Sequence, residues 1–246
     1  MSLAMFVHDE VASVSAGDLI DLTGDEGHHA AVVRRIEPDE RISLTDGRGS
    51  VATCRVLQTG KQGLTAEVLD VTTTPAEMPR LVVVQAIPKG ERGELAVEML
   101  TEVGVDVIVP WAASRSVARW KGERSAKHLA KWRTTAREAA KQSRRAWFPE
   151  VADLATTEEV VALLDRANVP VVLHEAASGP LADVPVPGRG EIVIVVGPEG
   201  GISDEELEAF SRVGAEPLRL GSSVLRSSTA GVAAAAALLA RTPRWR

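Results

Sequence analysis

Two glycine-rich turns in the last third of the chain hold the residue types best suited to chemistry. The apolar stretch 192–196 runs into GPEGG at 197–201, and a second stretch, 218–220, ends at Gly221. Glycine lets a ligand approach the main chain closely, and open α/β sheets bind ligands where neighbouring strands end. The segment VLRSSTAG at 224–231 adds a cation and hydroxyl groups. Together these segments predict a ligand site built largely from backbone groups.

The ligand at such a site is not expected to be a nucleotide phosphate. The chain has no GxGxxG motif after a strand and no phosphate-binding GxxxxGK[ST] loop. Asp204, Glu205 and Glu206 follow the GPEGG turn and would repel a phosphate at the next helix N-terminus. S-adenosylmethionine fits better, since it carries a sulfonium, an amine, a carboxylate and an adenine but no phosphate. Alone, GPEGG is also compatible with an ordinary Pro/Gly turn.

The order and spacing of these motifs resemble the SPOUT class of RNA methyltransferases, and within it the ribosomal RNA small subunit methyltransferase E family. The family's GPEGG segment matches 196–203 with Glu206, and its LG..hLR.ETA segment matches 220–230. Its upstream Q..R...P segment matches 138–145 with Pro149. One departure is that Ser228 stands where the family usually has Glu.

The resemblance implies both a fold and an activity. The fold is α/β, with a C-terminal SPOUT-type parallel sheet containing a trefoil knot and a small N-terminal PUA-like β-barrel domain. The activity is S-adenosylmethionine-dependent methylation of uridine N3 in 16S ribosomal RNA of the small subunit, in the decoding region. Two alternatives stay open. One is another SPOUT activity such as ribose 2′-O methylation. The other is a non-catalytic RNA-binding or ribosome assembly factor, which remains an alternative because Ser228 replaces the Glu of the family.

By the same resemblance, the cofactor is expected to bind to three loops. Their residues are Leu173, His174 and Glu175; Val196, Gly197, Pro198, Glu199, Gly200 and Gly201; and Leu220, Gly221, Val224, Leu225 and Arg226. Alternatively, His174 is a histidine at a strand end with no role in binding, and Val224 and Leu225 pack in the core.

Methylation of uridine N3 needs a cation beside the developing oxyanion and a base for the N3 proton. Arg226 is the candidate cation; alternatively, it forms a salt bridge to Glu199 or bonds a backbone carbonyl. Glu199 is the candidate base, or else a brace for its loop. Ser228 and Thr229 could hydrogen-bond the uracil edge or could cap the helix that follows. The chemistry needs no metal, and no cluster of His, Asp and Glu suggests one.

The charge distribution predicts a polyanion site in an acidic protein. The net charge is −6, yet residues 115–145 contain 11 Lys and Arg against two acids, a local charge of +9, which leaves −15 for the remainder. This pattern favours RNA binding, although a solvated basic helix would look the same. The expected RNA-binding residues are Arg34, Arg35, Arg115, Arg119, Arg137, Lys141, Gln142, Arg144 and Arg145. Trp120, Trp132 and Trp147 could stack an extruded base or could be buried.

The periodicity of the chain predicts two domains joined by a linker. Residues 1–73 read as short strands with one helix at 27–35, capped by 24–26; the HHAAVVRR stretch and the following Asp46-Gly47 match the family's N-terminal pattern. Residues 74–80 form a Pro-containing linker. Residues 81–246 alternate strands and helices, as a parallel sheet covered on both faces requires. The expected strands there are 81–87, 105–110, 169–174, 192–196 and 218–220, and the expected helices are 91–103, 127–143, 158–167, 202–210 and 232–240.

Composition limits the environment and the partners. The single cysteine, Cys54, cannot form an internal disulfide, and no apolar run approaches the roughly 20 residues of a membrane span. A cytoplasmic protein without a membrane partner is expected. The resemblance adds a homodimer formed through the C-terminal domain, and the small apolar run 232–240 suits helix packing between subunits or within one.

Overall fold

A computed structural model describes residues 3–245, which divide into two compact units. Of the described residues, the first unit comprises 3–76 and 140–148, and the second comprises 77–139 and 149–245. Residues 140–148 therefore count with the first unit, a return of the chain that the sequence-based bounds 1–73, 74–80 and 81–246 do not include.

The first unit is built on a five-stranded sheet. Its elements are β1 (Ala4–Val7), β2 (Leu19–Leu22), α1 (Gly24–His28), β3 (Arg41–Thr45), β4 (Ser50–Gly60) and β5 (Gly63–Thr73), in the sheet order β1-β3-β4-β5-β2. Strand β1 is parallel to β3, and the remaining pairs are antiparallel. Alternating apolar residues such as Ile42, Leu44 and Cys54 point into one core that also holds Phe6.

The helix of the first unit differs from the prediction. It begins at Gly24 rather than residue 27, so residues 24–26, which were expected to cap it, form its first turn. A π-helical segment, His29–Val33, continues it. The sequence also gave no sign of β1, because its four residues are too few to show a period.

The second unit is built on a seven-stranded parallel sheet. Its elements are β6 (Arg80–Ala86), α2 (Arg92–Val103), β7 (Val107–Trp111), α3 (Glu123–Gln142), β8 (Glu150–Val151), α4 (Thr157–Arg166), β9 (Val169–Leu173), β10 (Gly179–Pro180), β11 (Glu191–Val196), α5 (Asp204–Ser211), β12 (Pro217–Arg219) and α6 (Ser227–Leu239). The strand order is β10-β12-β9-β11-β6-β7-β8, and every pair is parallel. The parallel α/β architecture predicted from the sequence is confirmed.

Both faces of the central strands are buried, which explains their continuous apolar sequences. Along β6, Leu81 and Val83 face a core that includes Leu100 of α2 and Leu238 of α6. Val82 and Val84 face the opposite core, which includes residues of α4 and α5. A strand covered on both sides needs apolar residues at every position.

Local capping decides where several elements begin. Helices α4 and α5 each start with a capping box, formed by Thr156 with Glu159 and by Ser203 with Glu206. Strand β7 starts two residues later than the predicted 105, because Gly104 adopts a left-handed φ of 104° and the N–H of Val105 still bonds the carbonyl of Leu100. The short strands β8 and β10 were not predicted, since two residues carry no pattern.

Strand order and pairing define two sheets, and the trefoil knot and closed barrel implied by the resemblance stay predictions. Within residues 3–245, no helix combines the length and the apolar character that a membrane span requires.

Candidate active site

A cavity of about 320 Å³ lies at the carboxyl edge of the parallel sheet; it is called the loop cavity below. Three loops line it, and these follow β9, β11 and β12. Strand β9 pairs with both β11 and β12 in parallel, so the three loops leave the sheet at the same edge. The volume of the loop cavity falls within the range of roughly 300–1,000 Å³ that is typical of small-molecule sites.

The loop cavity gathers the predicted cofactor residues with one exception. Those that line it are Leu173, His174, Glu175, Val196, Gly197, Pro198, Glu199, Gly201, Leu220, Gly221, Val224, Leu225 and Arg226. Sequence reasoning missed further lining residues, among them Arg92, Ile202, Arg219 and Ser227. Arg92 lies in the first turn of α2, more than 80 residues before the first glycine motif, and no local pattern marks it.

Gly200 is the exception, and it packs against protein instead of the cavity. A Cβ atom at Gly200 would lie 2.9 Å from the carbonyl oxygen of Arg115. The same loop is fixed further by Arg115 Nη1, which donates to the Ile202 carbonyl at 3.3 Å, and by Glu206 Oε1, which accepts from Ser114 N–H at 2.8 Å. Gly200 therefore permits two loops to meet.

Other glycines shape the cavity wall directly. Gly201 and Gly221 have φ values of 75° and 155°, which side chains rarely adopt. Apart from its two chain neighbours, no residue in the described range 3–245 has an atom within 4 Å of the position of a Gly221 Cβ, so a side chain there would enter open space beside the cavity. At Gly197 a Cβ would lie 2.7 Å from Ile202, so this glycine permits close packing.

The carboxylate of Glu199 is held by the loop that follows β6. Its Oε1 accepts from the main-chain N–H of Lys89 at 3.2 Å and from Arg92 Nη1 at 3.5 Å. This geometry fits the role of a brace between loops, one of the two roles considered for Glu199. The Arg226–Glu199 salt bridge considered as an alternative does not form within residues 3–245, where the ion partner of Glu199 is Arg92.

Arg226 stands at the entrance to α6 with an exposed side chain. Its carbonyl accepts from the N–H groups of Thr229 and Ala230 at 2.9 Å, which starts the helix. Thr229 Oγ1 also donates to that carbonyl at 3.1 Å, and Ser228 is buried at 3% exposure. Neither Ser228 nor Thr229 lines the loop cavity; both lie in the first turn of α6, where Thr229 is exposed, and their contact with a uracil edge stays a prediction.

A buried glutamine reaches the cavity through a serine. Gln85, fully buried on β6, donates from Nε2 to Ser227 Oγ at 2.9 Å and to the Ala86 carbonyl at 3.1 Å. Since Ser227 Oγ accepts this bond, its hydroxyl hydrogen is left to point elsewhere, and Ser227 lines the cavity. A polar residue inside the apolar run of β6 was the signal that could have identified Gln85.

The remaining lining groups favour an organic ligand without phosphate. Val224 and Leu225 are 79% and 40% exposed, an apolar surface that a bound ring would cover. His174 Nδ1 accepts from the N–H of Ala176 at 3.2 Å, which fixes the turn after β9. At the start of α5, outside the cavity lining, the main-chain N–H of Glu205 and the Ser203 hydroxyl donate to the Glu205 carboxylate and lower its pKa, so this helix N-terminus keeps a negative charge.

The expected RNA-binding residues fall into separate places. Arg34, Lys141, Gln142 and Arg144 line a small cavity of about 70 Å³ in the first unit, together with His29 and residues 3–6; it is called the cationic cavity below. Arg35 and Arg144 adopt left-handed backbone conformations, with φ values of 54° and 56°. Arg115, Arg119 and Arg137 belong to the second unit, while Arg145 counts with the first.

Lys141 is not a surface residue, contrary to what the basic helix suggested. It is 4% exposed, and its Nζ lies 3.0 Å from Glu26 Oε1. Glu26 Oε2 in turn accepts the N–H of Val7 in β1 at 3.2 Å. The pair therefore connects α1, β1 and the end of α3 inside the first unit.

The tryptophans differ in environment. Trp132 is 2% exposed and belongs to the core. Trp147 donates from Nε1 to the Thr74 carbonyl at 2.8 Å and packs on Gly49. Trp120 stacks on His128 at 5.5 Å and meets Trp132 edge to face at 5.0 Å. Trp132 is therefore a core residue. Of the three tryptophans, Trp120 lines a cavity that is treated below.

Cys54 is buried, and burial raises the pKa of its thiol to about 11. A thiol with so high a pKa is a poor nucleophile and a poor metal ligand. Within residues 3–245, no three His, Cys, Asp or Glu side chains come together as a metal site would require.

Comparison with known proteins assigns both units. Residues 75–239 match the model of an RNA methyltransferase domain, and residues 22–69 match an RNA methyltransferase PUA domain. Ribosomal RNA small subunit methyltransferase E of Mycobacterium bovis is 44% identical over 250 residues, covering 100% of this chain and 94% of that protein. The Bacillus subtilis protein of the same name is 26% identical and covers 96% of each.

Solved structures agree over nearly the whole chain. A Legionella pneumophila methyltransferase in complex with bound S-adenosylmethionine has a TM-score of 0.89 at 29% identity, covering 98% of this chain and 99% of that one. Ribosomal RNA small subunit methyltransferase E of Neisseria gonorrhoeae, bound to the same cofactor, has a TM-score of 0.87 at 30% identity and covers 98% of both chains. The chain belongs to the ribosomal RNA small subunit methyltransferase E family of RNA methyltransferases.

Proposed function

We propose that this protein uses S-adenosylmethionine to methylate uridine N3 in the 16S ribosomal RNA of the small subunit. The observation that carries the proposal is the loop cavity, which gathers the glycine turns and Arg226 at one edge of the parallel sheet. Two relatives of matching fold were solved with S-adenosylmethionine bound.

The residues of the loop cavity suit S-adenosylmethionine. The turns at Gly197, Gly201 and Gly221 expose main-chain groups that can bond an adenine edge and a ribose. Val224 and Leu225 offer the apolar surface for the adenine ring. When bound, S-adenosylmethionine supplies a methyl group activated by its sulfonium.

Arg226 is the residue to which we assign stabilisation of the transition state. Uridine loses the N3 proton as N3 becomes nucleophilic, and negative charge develops on O2 and O4. A guanidinium beside those oxygens favours the deprotonated base, since preorganised cations act most strongly where charge develops. The exposed side chain of Arg226 at the cavity rim can meet a base that arrives from solvent.

Glu199 and Gln85 act in this proposal through the loops that they hold. Glu199 fixes the loop after β6 through Lys89 and Arg92. Gln85 occupies one acceptor lone pair of Ser227, which leaves the Ser227 hydroxyl hydrogen available to a ligand in the cavity that Ser227 lines. We assign both a positioning role, and a water molecule then acts as the base that takes the N3 proton.

The proposed partners follow from the substrate. The PUA domain and the cationic cavity of the first unit would hold the RNA backbone, and a ribosomal substrate implies a cytoplasmic protein. We also propose a homodimer through the C-terminal domain, as the resemblance implies. Ala234 and Leu238 of α6 are fully buried within one subunit, so other surfaces would form that dimer, and light scattering tests it.

Nucleoside mass spectrometry tests the proposed reaction directly. Purified protein is incubated with isotope-labelled S-adenosylmethionine and unmodified 16S RNA, either as transcript or as small subunits. Labelled 3-methyluridine is the expected product. Labelled 2′-O-methyl nucleosides would replace this proposal with the ribose alternative, and absence of transfer despite tight cofactor binding would favour a non-catalytic RNA-binding factor.

A further inference from the structure

A second cavity in the second unit, of about 330 Å³, has no role in the site described above. It is called the Trp120 cavity. Ile87, which follows β6, and the loop that follows β7 line it, including Ser116, Arg119, Trp120 and Lys121. Because β6 and β7 are parallel neighbours, this cavity lies at the same sheet edge as the loop cavity.

Ser116, which lines this cavity, has an unsatisfied polar group. The residue is 6% exposed, and its Oγ is buried without a hydrogen-bond partner among residues 3–245. A buried hydroxyl without a partner has lost its bonds to water and gained none from the protein, so such groups are rare in folded proteins. A hydroxyl can donate or accept, which suits the edge of a nucleobase.

The other lining residues have the chemistry of a nucleotide site. Trp120 offers an aromatic ring, and its neighbours His128 and Trp132 hold that ring in place at 5.5 and 5.0 Å. Arg119 and Lys121 are exposed cations on either side of it in sequence. Aromatic rings that stack bases, beside cations that bind phosphates, characterise single-stranded RNA recognition.

The walls of the Trp120 cavity are anchored to the GPEGG loop and the start of α5. Ser114 N–H bonds Glu206 at 2.8 Å, and the Arg115 main chain packs on Gly200. On the other side, Glu199 holds Lys89, two residues after Ile87. A ligand in the Trp120 cavity would therefore lie between two segments that are fixed to a wall of the loop cavity.

We propose that the Trp120 cavity binds one nucleotide of the substrate RNA, with its base against Trp120 and its edge on the Ser116 hydroxyl. Arg119 and Lys121 bind its phosphates. The proposal rests on the proposed function, which supplies RNA as the substrate, and it adds the place where one of its nucleotides is recognised.

The variant Ser116→Ala separates a binding role from a structural one. Removing an unpartnered hydroxyl leaves the unfolding midpoint unchanged or raises it, whereas losing a hydrogen bond to RNA weakens affinity about three- to tenfold. Affinity is measured on the full chain with a fluorescein-labelled single-stranded oligouridylate and with 16S transcript. Ser125→Ala, in the first turn of α3, is the matched control and should change neither quantity.

Two further variants keep the test decisive. Trp120→Leu should weaken RNA binding about tenfold while Trp120→Phe retains most of it, because only the aromatic ring stacks. Arg119→Gln with Lys121→Gln should flatten the salt dependence of RNA affinity. Calorimetry should show unchanged S-adenosylmethionine affinity in all of them.

The possible failures are distinguishable. Wild-type protein that methylates RNA, with Ser116→Ala and Trp120→Leu binding RNA as tightly as wild type, overturns the nucleotide site alone. Loss of cofactor affinity in Ser116→Ala overturns it too, since the serine would then serve the loops. Wild-type protein that transfers no methyl group to any RNA overturns the proposed function instead.

Discussion

The loop cavity and the cationic cavity differ in what they are made of. The loop cavity is formed by three loops whose glycines expose the main chain, with Arg226 as its prominent side chain. The cationic cavity is about 70 Å³ and is lined by side chains from β1, from the segment after α1 and from the end of α3. The first has room for an organic ligand, while the second has room for about two waters or one small ionic group.

This difference reflects two ways of building a site. Main-chain groups are fixed by the sheet edge, so the loop cavity depends on backbone conformation, as the φ of 155° at Gly221 shows. The cationic cavity depends on a buried ion pair, Lys141 with Glu26, that holds its surrounding elements. We therefore expect substitutions of the glycines and of Arg226 to impair cofactor binding or catalysis at the loop cavity. At the cationic cavity, we expect substitutions to lower the stability of the first unit or to weaken RNA binding through loss of charge.

The largest expected effect is on catalysis by Arg226→Ala. Removing a group that stabilises developing charge lowers the rate of methyl transfer about 100- to 1,000-fold. Single-turnover kinetics with 16S RNA measure the rate, and calorimetry should show cofactor affinity within about threefold of wild type. Arg212→Ala, which removes an exposed ion pair with Glu208, should keep the full rate. A normal rate in Arg226→Ala would remove Arg226 from the reaction.

Lys141→Met should lower the free energy of unfolding by about 3–5 kcal/mol, because it removes the buried Lys141 ammonium from the largely buried Glu26 carboxylate. Urea denaturation measures this. Adding Glu26→Gln should recover most of the loss, since the amide still accepts from Val7 N–H. The control is Arg55→Met, which breaks the more exposed Arg55–Glu67 pair and should cost less than about 1 kcal/mol. Equal losses in the two variants would show that the buried pair does not hold the first unit.

Gly221→Val should weaken S-adenosylmethionine binding about tenfold or more. A side chain at a φ of 155° is strained, and its atoms would extend into space beside the cavity. Gly188→Val is the control, because that glycine has an ordinary φ and no neighbour within 4 Å of its Cβ. If calorimetry gave equal affinities for the two variants, the backbone at Gly221 would not form part of the cofactor site.

The smallest expected effect comes from Arg34→Gln at the cationic cavity. If Arg34 contacts one phosphate, the slope of log affinity against log salt becomes shallower in Arg34→Gln, by about 0.7 for single-stranded RNA. Fluorescence titration over a range of salt concentrations measures the slope, and cofactor affinity should not change. Arg41→Gln, another exposed arginine of the first unit, should leave the slope unchanged. An unaltered slope in Arg34→Gln would make the cationic cavity a feature of the fold alone.

Much of the site could be predicted because its residues are close together in sequence. Strand, glycine turn and helix follow one another at 192–206 and again at 217–230, so the pattern carries the geometry. The same reasoning could not predict the contacts of Glu199, Ser228 and Thr229. Their residue types suggest chemistry, and the structure adds only contacts: Glu199 bonds the N–H of Lys89, Thr229 bonds the Arg226 carbonyl, and Ser228 is buried.

The sequence by itself determined the parallel α/β fold, the glycine turns and the family. These follow from local periodicity, from the conformational freedom of glycine, and from motif spacing. Only the tertiary structure decided that Gly200 faces Arg115, that Lys141 is buried on Glu26, and that Gln85 reaches Ser227 across 142 residues. The physical reason is that such contacts join segments far apart in the chain, and a linear pattern does not contain the distances between them.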